Sequence, residues 1–356
     1  MKLSDFDYHL PPERIAQHPA AERDASRLMV VDRGAGTLHH VHFRDLPSFL
    51  RPGDLLVAND TRVLPARLFA RVPREAGGDR EVEVLLLREE PSVPPLRIWS
   101  ALARPARVLH EGTPLAFHDP SWRAKVHARG ERGVRRIAFQ PAASEGEGPT
   151  FEAWLSRVGH IPLPPYIERP DEPEDRERYQ TVFARETGSV AAPTAGLHFT
   201  NATLEAARAR GASFTTVTLH VGPGTFRPVT TENPDEHVLD PEPYCVPPAT
   251  AAAIRAAKQS GGRVIAVGTT SVRTLESWVL NAMPDDGAWR ETNLFVRPPF
   301  EFRVIDAMIT NFHLPRSSLL FLVSAFAGRE RMLEAYATAV REGYRFYSYG
   351  DAMLIV

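Results

Sequence analysis

Between Arg67 and Phe139 the chain offers one extended run after another and no helical stretch, although the sequence beyond it alternates between helical and extended patterns. Arg67–Val72, Val82–Arg88, Leu96–Leu102, Lys125–Ala128 and Val134–Phe139 are short strand-like runs separated by turns that contain Gly and Pro. Five or six strands at that spacing predict a small barrel. The tract Pro141–Pro149, rich in Ala, Ser, Glu and Gly, reads as its exit linker. Before the insert, Leu28–Asp32 and Leu55–Ala58 read as strands. After Phe151, helix Thr203–Arg210, strand Phe214–His220, helix Pro248–Gln259, strand Val264–Gly268 and helix Val272–Leu280 follow one another, and Met308–Phe312, Leu319–Phe326, Arg331–Arg341 and Phe346–Tyr349 complete the series. The predicted class is therefore α/β: a barrel-like or mostly parallel-sheet main domain interrupted by an inserted small all-β barrel domain. Residues 1–65 and 150–356 form the discontinuous α/β domain in this reading, and 66–149 the insert.

Bulk properties narrow the function classes. Hydrophobic content of 43% and charged content of 24% over 356 residues suit a soluble globular protein. A single cysteine, Cys245, excludes an internal disulfide framework and a cysteine-rich zinc site. The amino-terminal residues lack the apolar core of a signal peptide, and the longest apolar run, Leu319–Ala327, is too short to cross a bilayer, so a cytoplasmic protein with no membrane partner is expected. No heptad seam is visible, which favours a monomer. The net charge of −2 is unevenly placed: residues 66–140 carry 14 Lys+Arg against 9 Asp+Glu, and the remainder 28 against 35. A locally basic domain on an acidic body marks a polyanion site. Lys2, Lys125 and Lys258 are the only lysines; genomic composition accounts for most of that bias, yet guanidinium groups suit phosphate.

The segment Gly188–Thr200 fits neither a helix nor a strand. It is built of small residues, with hydroxyls at Ser189, Thr194 and Thr200, a glycine at Gly196 and one imidazole at His198. Helical periodicity starts straight after it, with Thr200 or Asn201 as N-cap, so the loop feeds a helix N-terminus. Three strand-to-loop junctions share one form: His220 to Arg227 with Gly224 and Thr225 between them, Gly268-Thr269-Thr270-Ser271 to Arg273, and Asn311 to Ser318 with His313 inside. Polar residues at the carboxyl ends of parallel strands are where α/β proteins gather ligands, so a composite pocket is expected. Neither glycine cluster is a nucleotide fingerprint. His40 and His42 share a strand face without a recognisable third ligand, so no metal is expected. Acid–base candidates are His198, His220 and His313, with Asp60, Glu186, Asp306 and Asp351 as carboxylates able to orient or deprotonate.

Longer strings connect these segments. Pro52-Gly-Asp-Leu-Leu-Val-x-Asn-Asp-Thr-Arg-Val-x-Pro-Ala-Arg67 and Gly159-x-Ile-Pro-Leu-Pro-Pro-Tyr-Ile167, together with Asp5–Gln17, Arg178–Val182, Gly188–Thr200, Thr218–Val229, Gly268–Ser277, Asp306–Phe326 and Tyr349–Ile355, resemble the S-adenosylmethionine:tRNA ribosyltransferase-isomerases of queuosine biosynthesis. The likeness reaches both ends of the chain and skips mainly the β insert. Three departures stand out: Thr187 where the family usually has proline, Pro223 where it has an apolar residue, and Asp240 where it tends to have a histidine.

The resemblance implies transfer and isomerisation of the ribosyl moiety of S-adenosylmethionine onto 7-aminomethyl-7-deazaguanine at the tRNA wobble position, giving epoxyqueuosine and releasing adenine and methionine. S-adenosylmethionine is then a consumed substrate and the modified tRNA its partner; no cofactor and no metal is implied. The sulfonium acidifies the neighbouring ribose carbon, so a positioned base starts the reaction. His198 is the first choice for proton transfer and His313 the second, with Asp306 as the catalytic carboxylate. Gly268–Ser271 with Arg273 would hold the methionine carboxylate, and Asn59, Asp60 and Arg62 the ribose or modified base. Ser189, Thr194, Gly196, His220, Gly224, Thr225, Arg227, Asn311, Tyr349 and Asp351 complete the expected substrate site, and arginines of the insert would meet anticodon-stem phosphates. Two rival classes are an S-adenosylmethionine-dependent tRNA methyltransferase, which would normally carry a Gly-rich loop that is missing here, and a noncatalytic tRNA-binding protein, which would need no pocket lined by histidine and hydroxyls.

Overall fold

Seventeen strands and seven helices follow one another among the described residues of the computed structural model, which are 1–74, 77–144, 147–222, 229 and 231–356, the side chain of Arg132 excepted. The first strands are β1 (Arg27–Val31), β2 (Leu38–His42), β3 (Leu55–Asn59) and β4 (Thr61–Val63). The insert follows as β5 (Arg67–Pro73), β6 (Asp79–Glu90), β7 (Arg97–Arg104), β8 (Pro114–Leu115), β9 (Trp122–Arg129) and β10 (Val134–Pro141). Helices α1 (Phe151–Val158) and α2 (Asp175–Arg178), strand β11 (Glu186–Ser189), helix α3 (Asn201–Ala209), and strands β12 (Ser213–Leu219) and β13 (Glu242–Cys245) come next. Helix α4 (Pro248–Gln259), strand β14 (Val264–Val267), helix α5 (Thr269–Leu280), strands β15 (Arg290–Thr292) and β16 (Ala307–Asn311), helices α6 (Ser318–Ala327) and α7 (Arg329–Arg341), and β17 (Ala352–Ile355) close the chain.

The insert folds as expected. β5-β6-β7-β10-β9-β8 form one antiparallel sheet, and a bridge between Arg71 on β5 and Ala116 just beyond β8 nearly closes it into a barrel. Alternate residues face inward: Leu68, Ala70 and Val72 of β5 meet Val82, Val84 and Leu86 of β6 in one apolar cluster. α1 adds Phe151, Trp154, Leu155 and Val158 to that cluster, so the first helix after the linker packs with the barrel. Thr150 caps it, its side chain accepting from the Ala153 amide. At its far end Gly159 is obligatory, since a Cβ there would lie 2.0 Å from the Pro65 carbonyl oxygen.

The main sheet has the order β15-β13-β12-β3-β14-β16-β17-β1-β2. It is mixed rather than mostly parallel, which corrects the sequence expectation. β12, β3, β14 and β16 run parallel, but β17 joins β16 antiparallel, β1 runs with β17, and β13, β15 and β2 add antiparallel edges. The central strands are apolar at consecutive positions because both sheet faces are covered. Val264 and Ala266 of β14 pack on the side that holds α4 to α7, and Ile265 and Val267 on the side that holds α3. One consequence positions the site. The carboxyl ends of β3, β12, β14 and β16 share an edge with the amino ends of β17 and β1, since Asn311 pairs with Ala352 and Ala352 with Leu28. The expected element Phe346–Tyr349 is a turn with Tyr347 at φ 72°, a conformation no strand tolerates.

Candidate active site

A cleft opens on that shared edge, enclosing about 830 Å³ including its mouth. Four stretches distant in sequence build it: Ala192–Ala195, Gly268–Thr270, Thr310–Pro315 with Ser317 and Leu319, and Tyr347–Ser348, joined by Tyr166 and Val221. Gly268 leaves β14 at φ 91° and serves as the N-cap of α5, so the first turn of a twelve-residue helix lines the cleft. Amides of that turn have no intrahelical acceptor and carry the positive end of the helix dipole. α6 begins beside it: Ser317 Oγ accepts from the Leu320 amide at 3.2 Å. Two helix amino termini therefore meet one cavity.

His313 stands on its wall. Its Nε2 is 2.7 Å from Thr310 Oγ1, its amide donates to Tyr336 Oη at 3.0 Å, and its carbonyl accepts from Tyr8 Oη. No described group bonds its Nδ1. Burial pushes its pKa down to about 3, so the ring is neutral at neutral pH. His198 lies behind the same wall and does not line the cleft. Its Nδ1 is 2.7 Å from Ser26 Oγ, its Nε2 3.1 Å from Asn311 Nδ2, and its ring stacks on Phe43. Burial first, then the charges of Arg345 and Arg23, push its pKa to about 3. Both ring nitrogens are engaged.

Of the expected residues, the structure brings Thr194, Gly268, Thr269, Thr270, Asn311 and His313 together in the cleft. Gly196 and Ser271 sit behind it: a Cβ on Gly196 would lie 2.7 Å from Thr181 Cγ2, and Ser271 Oγ donates to the Val267 carbonyl rather than capping α5. Arg273 does not reach the cleft either. It forms a buried pair with Glu242 and donates to the Leu294 carbonyl at 3.1 Å, so its charge is neutralised away from the site. Asn59, Asp60, Ser189 and His220 gather beyond Val221 in a second cluster. There Asn59 spans the Leu219 backbone, Asp60 accepts from Arg185 and Thr218, Ser189 holds the Val221 amide, and His220 meets Thr61 at 2.8 Å. Arg62 points outward on β4. Gly224, Thr225 and Arg227 lie outside the described residues, as does Pro223.

Three placements correct the sequence reading. Asp306 precedes β16 at the opposite edge of the sheet, bonded to Lys258 and to the Val264 amide. Asn311 lies five extended steps further along the chain, roughly 16 Å away. Tyr349 donates to Asp175 at 2.6 Å and faces the small cavity behind His198. Asp351 is spent on the amides of Arg27 and Arg345, with its pKa raised by burial. Conversely, the sequence reading did not single out Tyr166, Ser26 or Ser348 as site residues. Tyr166 Oη and Ser348 Oγ are 2.6 Å apart, and the Tyr166 and Tyr347 ring centroids 4.1 Å. The signal available for them was the aromatic after Pro164-Pro165 and the Tyr-Ser-Tyr run before β17. Among the described residues no cluster of side chains is arranged to hold a metal ion, and no helix is long and apolar enough to cross a membrane.

The model of the queuosine biosynthesis protein family matches residues 3–355. The chain belongs to that family. It is 52% identical over 359 residues to the S-adenosylmethionine:tRNA ribosyltransferase-isomerase of Moorella thermoacetica, with 100% of both chains covered. Identity is also 52% over 362 residues to the enzyme of that name from Thermus thermophilus, with 99% of each chain covered. The crystal structure of an S-adenosylmethionine tRNA ribosyltransferase from Thermotoga maritima is similar with a TM-score of 0.53 and 38% identity, over 99% of this chain and 100% of that one. Membership of the queuosine family accounts for the strings that run from Asp5 to Ile355.

Proposed function

We propose that the cleft is the active site of an S-adenosylmethionine:tRNA ribosyltransferase-isomerase. The observation that carries this reading is the convergence of three strand-end segments, Ala192–Ala195, Gly268–Thr270 and Thr310–Pro315, on one cavity in a chain of this family. S-adenosylmethionine is consumed: its ribosyl part passes to the aminomethyl group of the modified wobble base, and adenine and methionine leave. A neutral histidine is the group this chemistry asks for first. His313 lines the cleft, Thr310 fixes its ring through Nε2, and its Nδ1 has no described partner, so it is the base that removes the proton beside the sulfonium. The amides of the first turn of α5 receive the methionine carboxylate. Tyr166 and Tyr347 offer aromatic faces to the sulfonium or the adenine.

In this reading residues 1–65 and 150–356 supply the chemistry, and 66–149 form a separate unit beside them that meets the RNA. The protein works as a cytoplasmic monomer without a resident cofactor. The test is a product assay with S-adenosylmethionine and tRNA carrying 7-aminomethyl-7-deazaguanine. Adenine and methionine in equal amounts support the reading. S-adenosylhomocysteine instead would make the protein a methyltransferase, and no product at all would leave only tRNA binding.

A further inference from the structure

The backbone fixes the hydrogen-bond polarity of one cleft wall. A carbonyl oxygen only accepts, so the Asn311 atom 3.0 Å from the Tyr347 carbonyl is the amide nitrogen. Its second N–H meets His198 Nε2 at 3.1 Å, which makes Nε2 the bare nitrogen of that ring. Nδ1 then carries the proton and donates it to Ser26 Oγ at 2.7 Å, and the Ser26 hydroxyl donates onward to the Arg23 carbonyl at 3.2 Å. On the cleft side, Asn311 Oδ1 accepts from Thr194 Oγ1 at 3.1 Å. The only proton Thr194 has is therefore committed. What Thr194 Oγ1 and Asn311 Oδ1 still present is lone pairs, and no other described group donates to them.

The neighbouring surface has the opposite polarity. Gly268 packs against Ala195, where a Cβ on the glycine would lie 3.5 Å from the alanine Cβ, so the wall adjoins the first turn of α5. Free amides belong to that turn. Its Thr270 lines the cleft and is 7% exposed, and the Thr270 hydroxyl oxygen, itself fully buried, has no hydrogen-bond partner. Acceptors beside donors, with Leu314, Pro315 and Leu319 also in the lining, match a zwitterion whose ammonium and carboxylate sit on one carbon.

We infer that Thr194 and Asn311 receive the α-ammonium of the amino-acid end of S-adenosylmethionine while the first turn of α5 receives its carboxylate. His198 is then a positioning residue that keeps the Asn311 amide from turning over. This assignment rests on the proposed function and names the substrate group that each wall reads.

The test compares S-adenosylhomocysteine, its desamino analogue and methylthioadenosine as ligands of the full-length protein by calorimetry. Wild type is expected to prefer S-adenosylhomocysteine to the desamino analogue at least tenfold. Thr194→Val abolishes that preference and leaves methylthioadenosine affinity unchanged, while Thr194→Ser retains the preference. Equal affinity of wild type for S-adenosylhomocysteine and its desamino analogue overturns the assignment alone, as does a Thr194→Val loss that is as large for methylthioadenosine. Wild type that binds none of the three ligands overturns the functional reading and the assignment with it.

Discussion

His313 and His198 stand on opposite sides of one strand end. They are 8% and 4% exposed, and burial holds both near a pKa of about 3. By burial and titration they are twins. Their difference is in what the ring nitrogens touch. His313 lines the cleft and has one nitrogen without a described partner, whereas His198 spends both on the wall behind it. A perturbed pKa therefore marks a buried imidazole and not a reacting one. The open coordination position separates a candidate base from a brace.

Replacing each histidine in turn tests that contrast. His313→Ala is expected to lower turnover by about a hundredfold or more, the ordinary worth of a general base, measured as adenine release under saturating S-adenosylmethionine. Turnover near wild type would remove His313 from the mechanism. His198→Ala is expected to act on turnover less, about tenfold, with the Michaelis constant for S-adenosylmethionine rising as the Asn311 amide loosens. It also costs roughly 2–4 kcal/mol of stability, because it opens a cavity and strands two buried polar groups. Equal turnover losses in the two variants would erase the distinction.

Acid should expose what the twins share. Their folded pKa of about 3 lies below the ordinary histidine value of about 6.5, so between those pH values the unfolded chain binds more protons than the native one. Stability is then undiminished above pH 6.5, falls as the pH drops below it, and levels off near pH 3. His198→Asn should flatten that slope in thermal melts between pH 6.5 and 4.5, and an unchanged slope would mean that this ring is not held neutral. The smallest effect belongs to the surface. Arg88 on the barrel pairs with Glu291 on the body at 3.1 Å, both well exposed, so Arg88→Ala should shift stability by no more than about 0.5 kcal/mol.

Local signals were legible wherever they were short-range. Pro248–Gln259 has the same bounds in sequence and structure, Thr200, one of the two residues offered as N-cap of α3, caps it, and the insert is all-β. The strand-end segments with Thr194, Thr270 and His313 were visible because small, hydroxyl-bearing residues interrupt the apolar pattern at strand ends. Strand direction was not visible, and that is why a mostly parallel sheet was expected where β17 and β1 run against β16. The same blindness hid Ser26 and Ser348, which reach the site only because those two strands start at its edge. Basic charge was misleading in part as well. Arg88 and Arg97 of the insert pair with Glu291 and Glu152 outside it, so not all of its net positive charge is free for phosphate.

Taken alone, the order of residues determined that this chain carries a β insert in an α/β body, which family it resembles, and which loops carry hydroxyls and histidines at strand ends. The fold elements follow from periodicity, turn residues and local capping, which act over a few positions, and the resemblance from the residue strings between Asp5 and Ile355. The tertiary structure alone decided which histidine faces the cleft, that Arg273 and Asp306 are occupied elsewhere, and which way each hydrogen bond of the Asn311 wall runs. Those depend on contacts between residues distant in sequence, 31 positions apart for Arg273 and Glu242 and 172 for Ser26 and His198, where burial and a single backbone carbonyl fix what no local pattern encodes.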